Sequence, residues 1–336
     1  MIQIPNSILT MSFQAPPTPQ EAVKYMPPET ENFGEGLLYV IKRAIGELNP
    51  SIKEAAILCV SLVAVIMLIT ILRTFSTNTN QIAQLTGTVA IGLILLGPSG
   101  ALIHLGIDTI RKISDYEKLF LPVMTAALAA QGGITSSAAL YAGTAFFNAV
   151  LSGIIVKLFS PLIYFYLVMC IANNAIKDEK LGNIAKFIKW IMTWFLKILM
   201  YIFTGYISIT GIVSGAADAS AVKAAKIAIS GAVPVVGSIM SDASEAILVS
   251  AGVMKNAAGI FGLLTVLALW IGPFLNIAVQ YLLLKAAAAI CSTFGEKESV
   301  SLIQDFSGAM GLLLAATGVM CLLVIISTVC FMRGMT

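Results

Sequence analysis

The sequence predicts an all-α, polytopic membrane protein. Of its 336 residues, 58% are apolar and only 11% are charged, whereas ordinary soluble domains carry about 25% charged residues. The mean hydropathy is +0.93. A single soluble core stops growing near about 250–300 residues, so it could not bury this excess of apolar side chains. Long uncharged runs between short charged loops predict about eight transmembrane helices plus two short half-helices.

The same composition excludes several classes of protein. The apolar excess argues against a soluble enzyme, a disordered scaffold and a secreted disulfide module. A net charge of +3 without a basic tract argues against nucleic-acid binding. One histidine, His104, and five cysteines without C-x-x-C spacing cannot supply a metal cluster or a nucleophile–base pair. We therefore expect no enzymatic activity, no metal and no cofactor.

Three segments precede the main body of the chain. Residues 1–33 are polar and proline-rich and are expected to form a poorly ordered arm, with no apolar stretch typical of a signal peptide. Residues 34–53 place apolar side chains on one helical face, which predicts an amphipathic helix in the membrane interface. Residues 55–72 form an uncharged run of 18 residues, which predicts the first transmembrane helix.

Prolines and glycines predict where the next runs break. A second uncharged stretch, residues 74–107, is interrupted at Gly97-Pro98. The apolar run 119–131 has 13 residues and would be about 20 Å long as a helix, too short to cross a bilayer. It ends at Gly132-Gly133 and is predicted to be a half-helix, which a membrane tolerates where protein or water covers its exposed backbone.

The remaining spans are predicted in the same way. Two spans are expected on either side of Ser160-Pro161, and two more on either side of Gly272-Pro273. A long helix should begin near residue 184, after the charged loop 177–180, and a last transmembrane helix should occupy residues 306–332.

Two parts of the chain, residues 82–183 and 184–300, are predicted to be copies of one unit. The distance from Pro122 to Pro161 is 39 residues, and so is the distance from Pro234 to Pro273. Identity between the two parts is low, so chance matching of small residues is the alternative. Three full spans per unit is an odd number, which would place the copies in inverted topology across the membrane.

Charge predicts the sides of two loops. The lysine-rich segment 177–189 is expected on the cytoplasmic side, and the acidic segment 296–305 on the opposite side, three spans later. The side of the N-terminus stays open. The count of spans places it on the cytoplasmic side. Acidic residues outnumber basic ones before residue 55, which argues weakly for the opposite side.

Residues 214–255 combine Ala, Ser and Gly with charged side chains. Charges at membrane depth cost at least about 2.5 kcal/mol each unless they are paired or hydrated, so they mark a candidate polar pathway. Its residues are Asp218, Lys223, Lys226, Asp242, Glu245 and Lys255. The alternative is an amphipathic helix outside the hydrocarbon, with its charges in water.

Small residues predict close helix packing at three places. Gly211 and Gly215 are four residues apart, as are Gly311 and Ala315, and Ala139 and Gly143. This spacing lets two helices approach closely. It suits packing inside one subunit and also an oligomer seam.

Four motifs resemble the stage III sporulation protein AE family. They are YMPPETENFGEG at residues 25–36, GYISITG at 205–211, GAVPVVG at 231–237 and SDASE at 241–245. The resemblance covers about residues 25–332. Members of this family usually begin with a signal sequence, and the start of this sequence departs from that pattern.

The resemblance implies a multi-pass protein of the mother-cell-derived outer forespore membrane in endospore-forming bacteria. It implies a component of a trans-envelope channel between mother cell and forespore that is needed for late forespore development. The implied partners are the other stage III A sporulation proteins, including an ATPase and ring-forming proteins, together with stage II sporulation protein Q, membrane lipid and further copies of the chain. It implies no catalytic residue.

Two other functions remain open at this point. Inverted repeats favour a secondary carrier whose polar pathway binds a solute. Against it, the positions that correspond to Asp242 and Glu245 in the first unit are Ala130 and Gly133, and a carrier site at a repeat interface more often draws polar groups from both halves. A structural anchor for the ATPase is the third possibility.

Overall fold

The computed structural model describes residues 18–28, 33–75, 80–232, 237–295 and 297–333, with side chains outside 72–84 and 210–255. All regular structure in these residues is helical. The α-helices are α1 (Gln20–Val23), α2 (Phe33–Gly46), α3 (Asn49–Phe75), α4 (Asn80–Ala130), α5 (Ile134–Ile154), α6 (Ser160–Ile176), α7 (Glu179–Ala232), α8 (Gly237–Cys291) and α9 (Lys297–Arg333). A π-helical turn, Ile155–Phe159, joins α5 to α6.

Six helical segments of the described chain are long and apolar enough to cross a membrane. They are Asn49–Ile71, Leu85–Ala130, Ile134–Ile176, Glu179–Ile209, Asn256–Cys291 and Lys297–Arg333. Because backbone polar groups find no water in hydrocarbon, helices that satisfy their own hydrogen bonds are the expected way to cross. The predicted class, an all-α polytopic membrane protein, is confirmed.

The prolines do not divide these helices as the sequence predicted. Pro98 and Pro122 lie inside α4, and Pro273 lies inside α8. At the predicted break Ser160-Pro161 the chain stays helical through the π-turn, and Pro161 occupies the first turn of α6. A proline removes one backbone hydrogen bond, and the intact turns and packed neighbours on either side keep a long membrane helix continuous. Fewer, longer helices result than the eight expected.

The predicted half-helix 119–131 is not a separate element. It forms the last turns of α4, which ends at Ala130. The predicted stop is nevertheless in place, because Gly132 has a φ of 94°, a conformation that residues with a side chain rarely adopt. The second predicted half-helix falls around residues 233–236, which lie outside the described residues.

Helix α9 lies at the centre of the bundle. It contacts α4, α5, α6, α7 and α8, and 19 of its 37 residues are buried. Peripheral helices keep large apolar side chains exposed, among them Ile57, Val60 and Tyr201. In a bilayer such side chains contact lipid, so the bundle is apolar on the outside and densely packed around α9.

Contacts between helices show which loops lie at which end of the bundle. At one end, Lys177 and Glu298 form an ion pair of 2.7 Å between Nζ and Oε1. Towards the other end, a Cβ on Gly262 would meet the ring of Phe120, and a Cβ on Gly259 would meet the side chain of Met332. The loop before α7 and the loop before α9 therefore lie at the same end.

The prediction that these two loops lie on opposite sides is wrong. Two long helices, α7 and α8, connect them, and an even number of passes returns the chain to its starting end. Unit 82–183 likewise contains one pass out and one pass back. The helix count thus favours same-direction copies over the inverted topology expected from three spans per unit.

Gly143 should tolerate no side chain. A Cβ there would lie 1.9 Å from Cε1 of Tyr206, and the Tyr206 hydroxyl donates a hydrogen bond to the carbonyl of Ala139 at 3.0 Å, which holds the ring in place. We expect Gly143→Ala to destabilise the protein by about 1–3 kcal/mol through overpacking, measured as a lower melting temperature in detergent. Gly153→Ala, in the same helix but facing open space, should be neutral or stabilising. Equal effects of the two changes would contradict this packing.

A disulfide should test the shared end of the two loops. In a variant without the native cysteines, Lys177→Cys and Glu298→Cys together should cross-link on mild oxidation, because the two side chains meet. Lys118→Cys with Glu298→Cys should not, because Lys118 lies two residues from Phe120, towards the other end. Gel mobility with and without reductant measures the result, and a cross-link in the control pair alone would refute this arrangement.

Candidate functional site

A polar cavity of about 660 Å³ opens at the end of the bundle where α6, α7 and α9 meet. Its walls carry both signs of charge and several amides and hydroxyls. The lining residues are Tyr166, Cys170, Asn173, Glu179, Gly182, Asn183, Ala185, Lys186, Lys189, Ser301 and Asp305. We call this space the polar cavity.

A tight turn between α6 and α7 forms one wall. Lys177 takes a left-handed conformation with φ 59°, and its N–H donates to the carbonyl of Asn173 at 2.8 Å, which ends α6. The carboxylate of Asp178 accepts from the N–H of Lys180 at 2.9 Å and so satisfies a free donor at the start of α7. Gly182 then lets α7 approach the Asn173 side chain, since a Cβ would lie 2.9 Å from Oδ1.

Asp305 of α9 connects the walls of the polar cavity. Its Oδ1 accepts a hydrogen bond from the Tyr166 hydroxyl at 3.4 Å, and its Oδ2 accepts one from the Asn174 amide at 3.3 Å. The same Asn174 amide donates to the carbonyl of Cys170 at 2.8 Å. The carboxylate thus ties α9 to α6 through two side chains.

Lys189 of α7 reaches the same place from the other side. A Cβ on Gly308, one turn after Asp305, would lie 2.8 Å from Lys189 Nζ and 3.4 Å from the Tyr166 hydroxyl. The absence of a side chain at Gly308 therefore makes room for an ammonium group. This cation lies close enough to Asp305 for the two charges to interact.

The side chains that line the polar cavity are suited to binding polar groups and water. Lysines, carboxylates, amides and hydroxyls together suit water, small ions or the polar backbone of a peptide. The part of the chain with placed side chains contains no group of three His, Cys, Asp or Glu residues that could hold a metal ion.

The predicted polar pathway cannot be placed against this cavity. Asp218, Lys223, Lys226, Asp242, Glu245 and Lys255 lie outside the residues whose side chains are described, as do Gly211 and Gly215. The predicted packing residue Gly311 is described, and a Cβ there would meet Cε2 of Tyr281 at 3.4 Å. Its close contact is therefore between α8 and α9 inside one subunit.

Sequence reasoning missed Asp305 and Lys189 as members of one site. Asp305 belonged to an acidic loop in that interpretation, and Lys189 to a membrane-interface anchor. One signal was available, because Ser301, Asp305 and Gly308 recur at helical spacing around the start of the predicted last transmembrane helix. The pairing with α6 and α7 depends on tertiary structure and has no sequence signal.

The N-terminal segment 18–28 packs on the bundle, although a poorly ordered arm was expected. Glu21 forms an ion pair of 2.9 Å with Lys112 of α4, and a hydrogen bond from that lysine holds the pKa of Glu21 below its usual value. A hydrogen bond from Lys24 likewise lowers the pKa of Glu47. Burial raises the pKa of Tyr25. Its hydroxyl packs close to the backbone of α8 at Gly272, where an added Cβ would lie 2.9 Å from the hydroxyl oxygen.

These features define a class: a multi-pass, all-α membrane protein with a polar cavity at one end of its helical bundle. The chain belongs to the stage III sporulation protein AE family, whose match covers residues 28–334. It is therefore a sporulation membrane protein, and the family is not a known class of enzyme.

A curated relative agrees with this assignment. The chain is 23% identical over 225 residues to "Stage III sporulation protein AE" of Bacillus subtilis (strain 168). The alignment covers 67% of this chain and 56% of that relative, so the match spans little more than half of the relative's length. No solved structure matches the chain significantly.

Asn174 should matter for stability more than Asn183. Asn174 is buried and its amide joins α6 to Asp305, so Asn174→Ala leaves a carboxylate oxygen unpaired and should cost about 1–3 kcal/mol. Asn183 lines the same cavity with an exposed side chain, and Asn183→Ala should change stability by less than about 0.5 kcal/mol. Melting temperatures in detergent decide this, and an Asn183 variant as unstable as the Asn174 variant would count against the Asp305 network.

Proposed function

We propose that this chain is a multi-pass component of a trans-envelope channel between mother cell and forespore, needed for late forespore development. The observation that carries the proposal is the family match across residues 28–334. The proposed location is the mother-cell-derived outer forespore membrane. There the six apolar helices would cross the bilayer and the polar cavity would face an aqueous compartment.

The proposed partners are the other stage III A sporulation proteins, including an ATPase and ring-forming proteins, with stage II sporulation protein Q on the forespore side. An exposed aromatic stack on α7 supports an assembling protein. Phe187, Trp190 and Trp194 follow one another with ring centroids 6.1 and 5.8 Å apart, and each is more than half exposed. In a membrane this face is available to lipid or to a neighbouring subunit.

The carrier is the weaker candidate. It depended on inverted copies, which need an odd number of spans per unit. The described helices give two long passes between the loop before α7 and the loop before α9. With the main argument for a rocking pair of inverted halves removed, the family match gives the channel component the stronger support.

The first experiment is the oligomeric state of the whole chain, purified in nanodiscs and imaged as single particles. A closed ring with a central opening is the expected result. A monomer or dimer with a solvated pocket between the two units would overturn self-assembly and make the carrier the working hypothesis, unless added partner proteins drive ring formation.

Function in cells separates a channel component or carrier from a structural anchor. In an endospore-forming host, deletion of the gene should abolish heat-resistant spores, and the intact gene should restore them. Asp242→Asn with Glu245→Gln should impair passage through a channel or carrier while assembly continues, whereas a structural anchor should keep full spore counts. Spore counts after heating and co-purification of partners measure the two effects.

A further inference from the structure

A fully buried carboxyl group lies inside the bundle, away from the polar cavity. Glu117 of α4 has no solvent-exposed surface, and neither carboxyl oxygen has a hydrogen-bond partner of normal geometry among the described residues. Its charged neighbours face outward. Asp115 and Lys118, both exposed, form an ion pair of 2.7 Å with each other. The ammonium group of Lys118 therefore pairs with Asp115 and not with Glu117.

The group that faces Glu117 across the helix interface is also an acceptor. The hydroxyl of Ser327 in α9 lies against the carboxyl but donates its proton to the carbonyl of Val324 at 3.1 Å. A hydroxyl whose proton is used can offer only lone pairs, and so can an ionised carboxylate. Two acceptors that face each other in a dry interior need a proton or a cation between them.

Further unpaired oxygens border the same packed region. Ser114, one turn before Glu117, has a buried hydroxyl without a partner. Asn148 of α5 donates its amide to the carbonyl of Ser114 at 3.2 Å, which fixes the orientation of the amide and leaves its Oδ1 unpaired. Asn148 thus joins α5 to α4 at Ser114, and Ser327 of α9 faces Glu117 one turn further along α4. The four side chains therefore come from three helices that contact one another in pairs.

We propose that Glu117 binds a sodium ion inside the bundle, with oxygen ligands from Ser114, Asn148 and Ser327. One carboxylate with hydroxyl and amide oxygens is the hard donor set that such cations prefer. The ion neutralises a charge that is otherwise costly at this depth and satisfies the acceptors that the protein leaves unpaired. This inference concerns the chain by itself and does not depend on the channel proposal.

The test uses the full chain in nanodiscs, with NaCl replaced stepwise by choline chloride at constant ionic strength. Because a ligand that binds only the folded state stabilises it, the melting temperature of the wild type should rise with sodium, by about 2–4 °C or more at saturation. Glu117→Gln, which keeps the size of the side chain, should abolish the sodium dependence. Asp115→Asn, a carboxyl two residues away on the exposed face, should retain it.

A second variant keeps the carboxyl and removes one ligand. Ser327→Ala should raise the sodium concentration for half of the effect by about tenfold, and calorimetric titration with sodium gives the same comparison if Glu117→Gln does not fold. A wild type indifferent to sodium, as expected if Glu117 carries only a proton, overturns the proposal. An equal sodium response in wild type and Glu117→Gln overturns it as well.

Discussion

The burial of one helix, α9, is the constraint on which the rest of the bundle depends. It contacts five other helices, and its neighbours must adapt to its side chains. Gly106 of α4 shows this, since a Cβ there would lie 2.6 Å from Cδ1 of Leu313. In a membrane the packing of small and large side chains replaces the hydrophobic drive that holds soluble helices together. The central helix therefore sets the spacing of the elements around it.

The central position of α9 also determines where polar groups enter the interior. Asp305, near its beginning, lines the polar cavity and accepts hydrogen bonds from Tyr166 and Asn174. Ser327, near its end, faces Glu117. A polar side chain on a peripheral helix can turn to lipid headgroups or water, but one on α9 must find its partner inside. Both polar sites consequently involve the same helix at opposite ends of the bundle.

The fold class could be predicted from the sequence because it follows from composition and run length, which are local properties. The end of α4 just before Gly132 was predictable for the same reason. The continuity of α4 through Pro98 and of α8 through Pro273 was not predictable. A proline's local effect on the helix is outweighed where neighbouring helices pack on both sides of it. The wrong number of spans then produced the wrong relative side for two loops, which the Lys177–Glu298 pair corrects.

The sites were harder to predict, and Glu117 shows why. The segment 108–118 looks like one amphipathic charged stretch, yet Asp108, Arg111, Asp115 and Lys118 recur at intervals of three and four residues on one exposed face. Glu117 falls off that face, and Ser114 is its neighbour at i−3. Helical spacing could have singled out Glu117 as inward-facing. Its partners could not be found that way, because Asn148 on α5 is tens of residues away in sequence and Ser327 on α9 is about two hundred away.

Helix length bears on the charged region that the sequence singled out. Helices α7 and α8 have 54 and 55 residues, or about 80 Å each, against a hydrocarbon core of about 30 Å. About 20 residues from the interface aromatic Trp190 bring α7 across the membrane near residue 210, before Asp218. On α8, Lys255 directly precedes the uncharged run that begins at Asn256. The helical backbone of α7 therefore continues for about 20 residues beyond one crossing. Among the described side chains, Glu117 and Asp305 are the carboxyl groups that the bundle encloses.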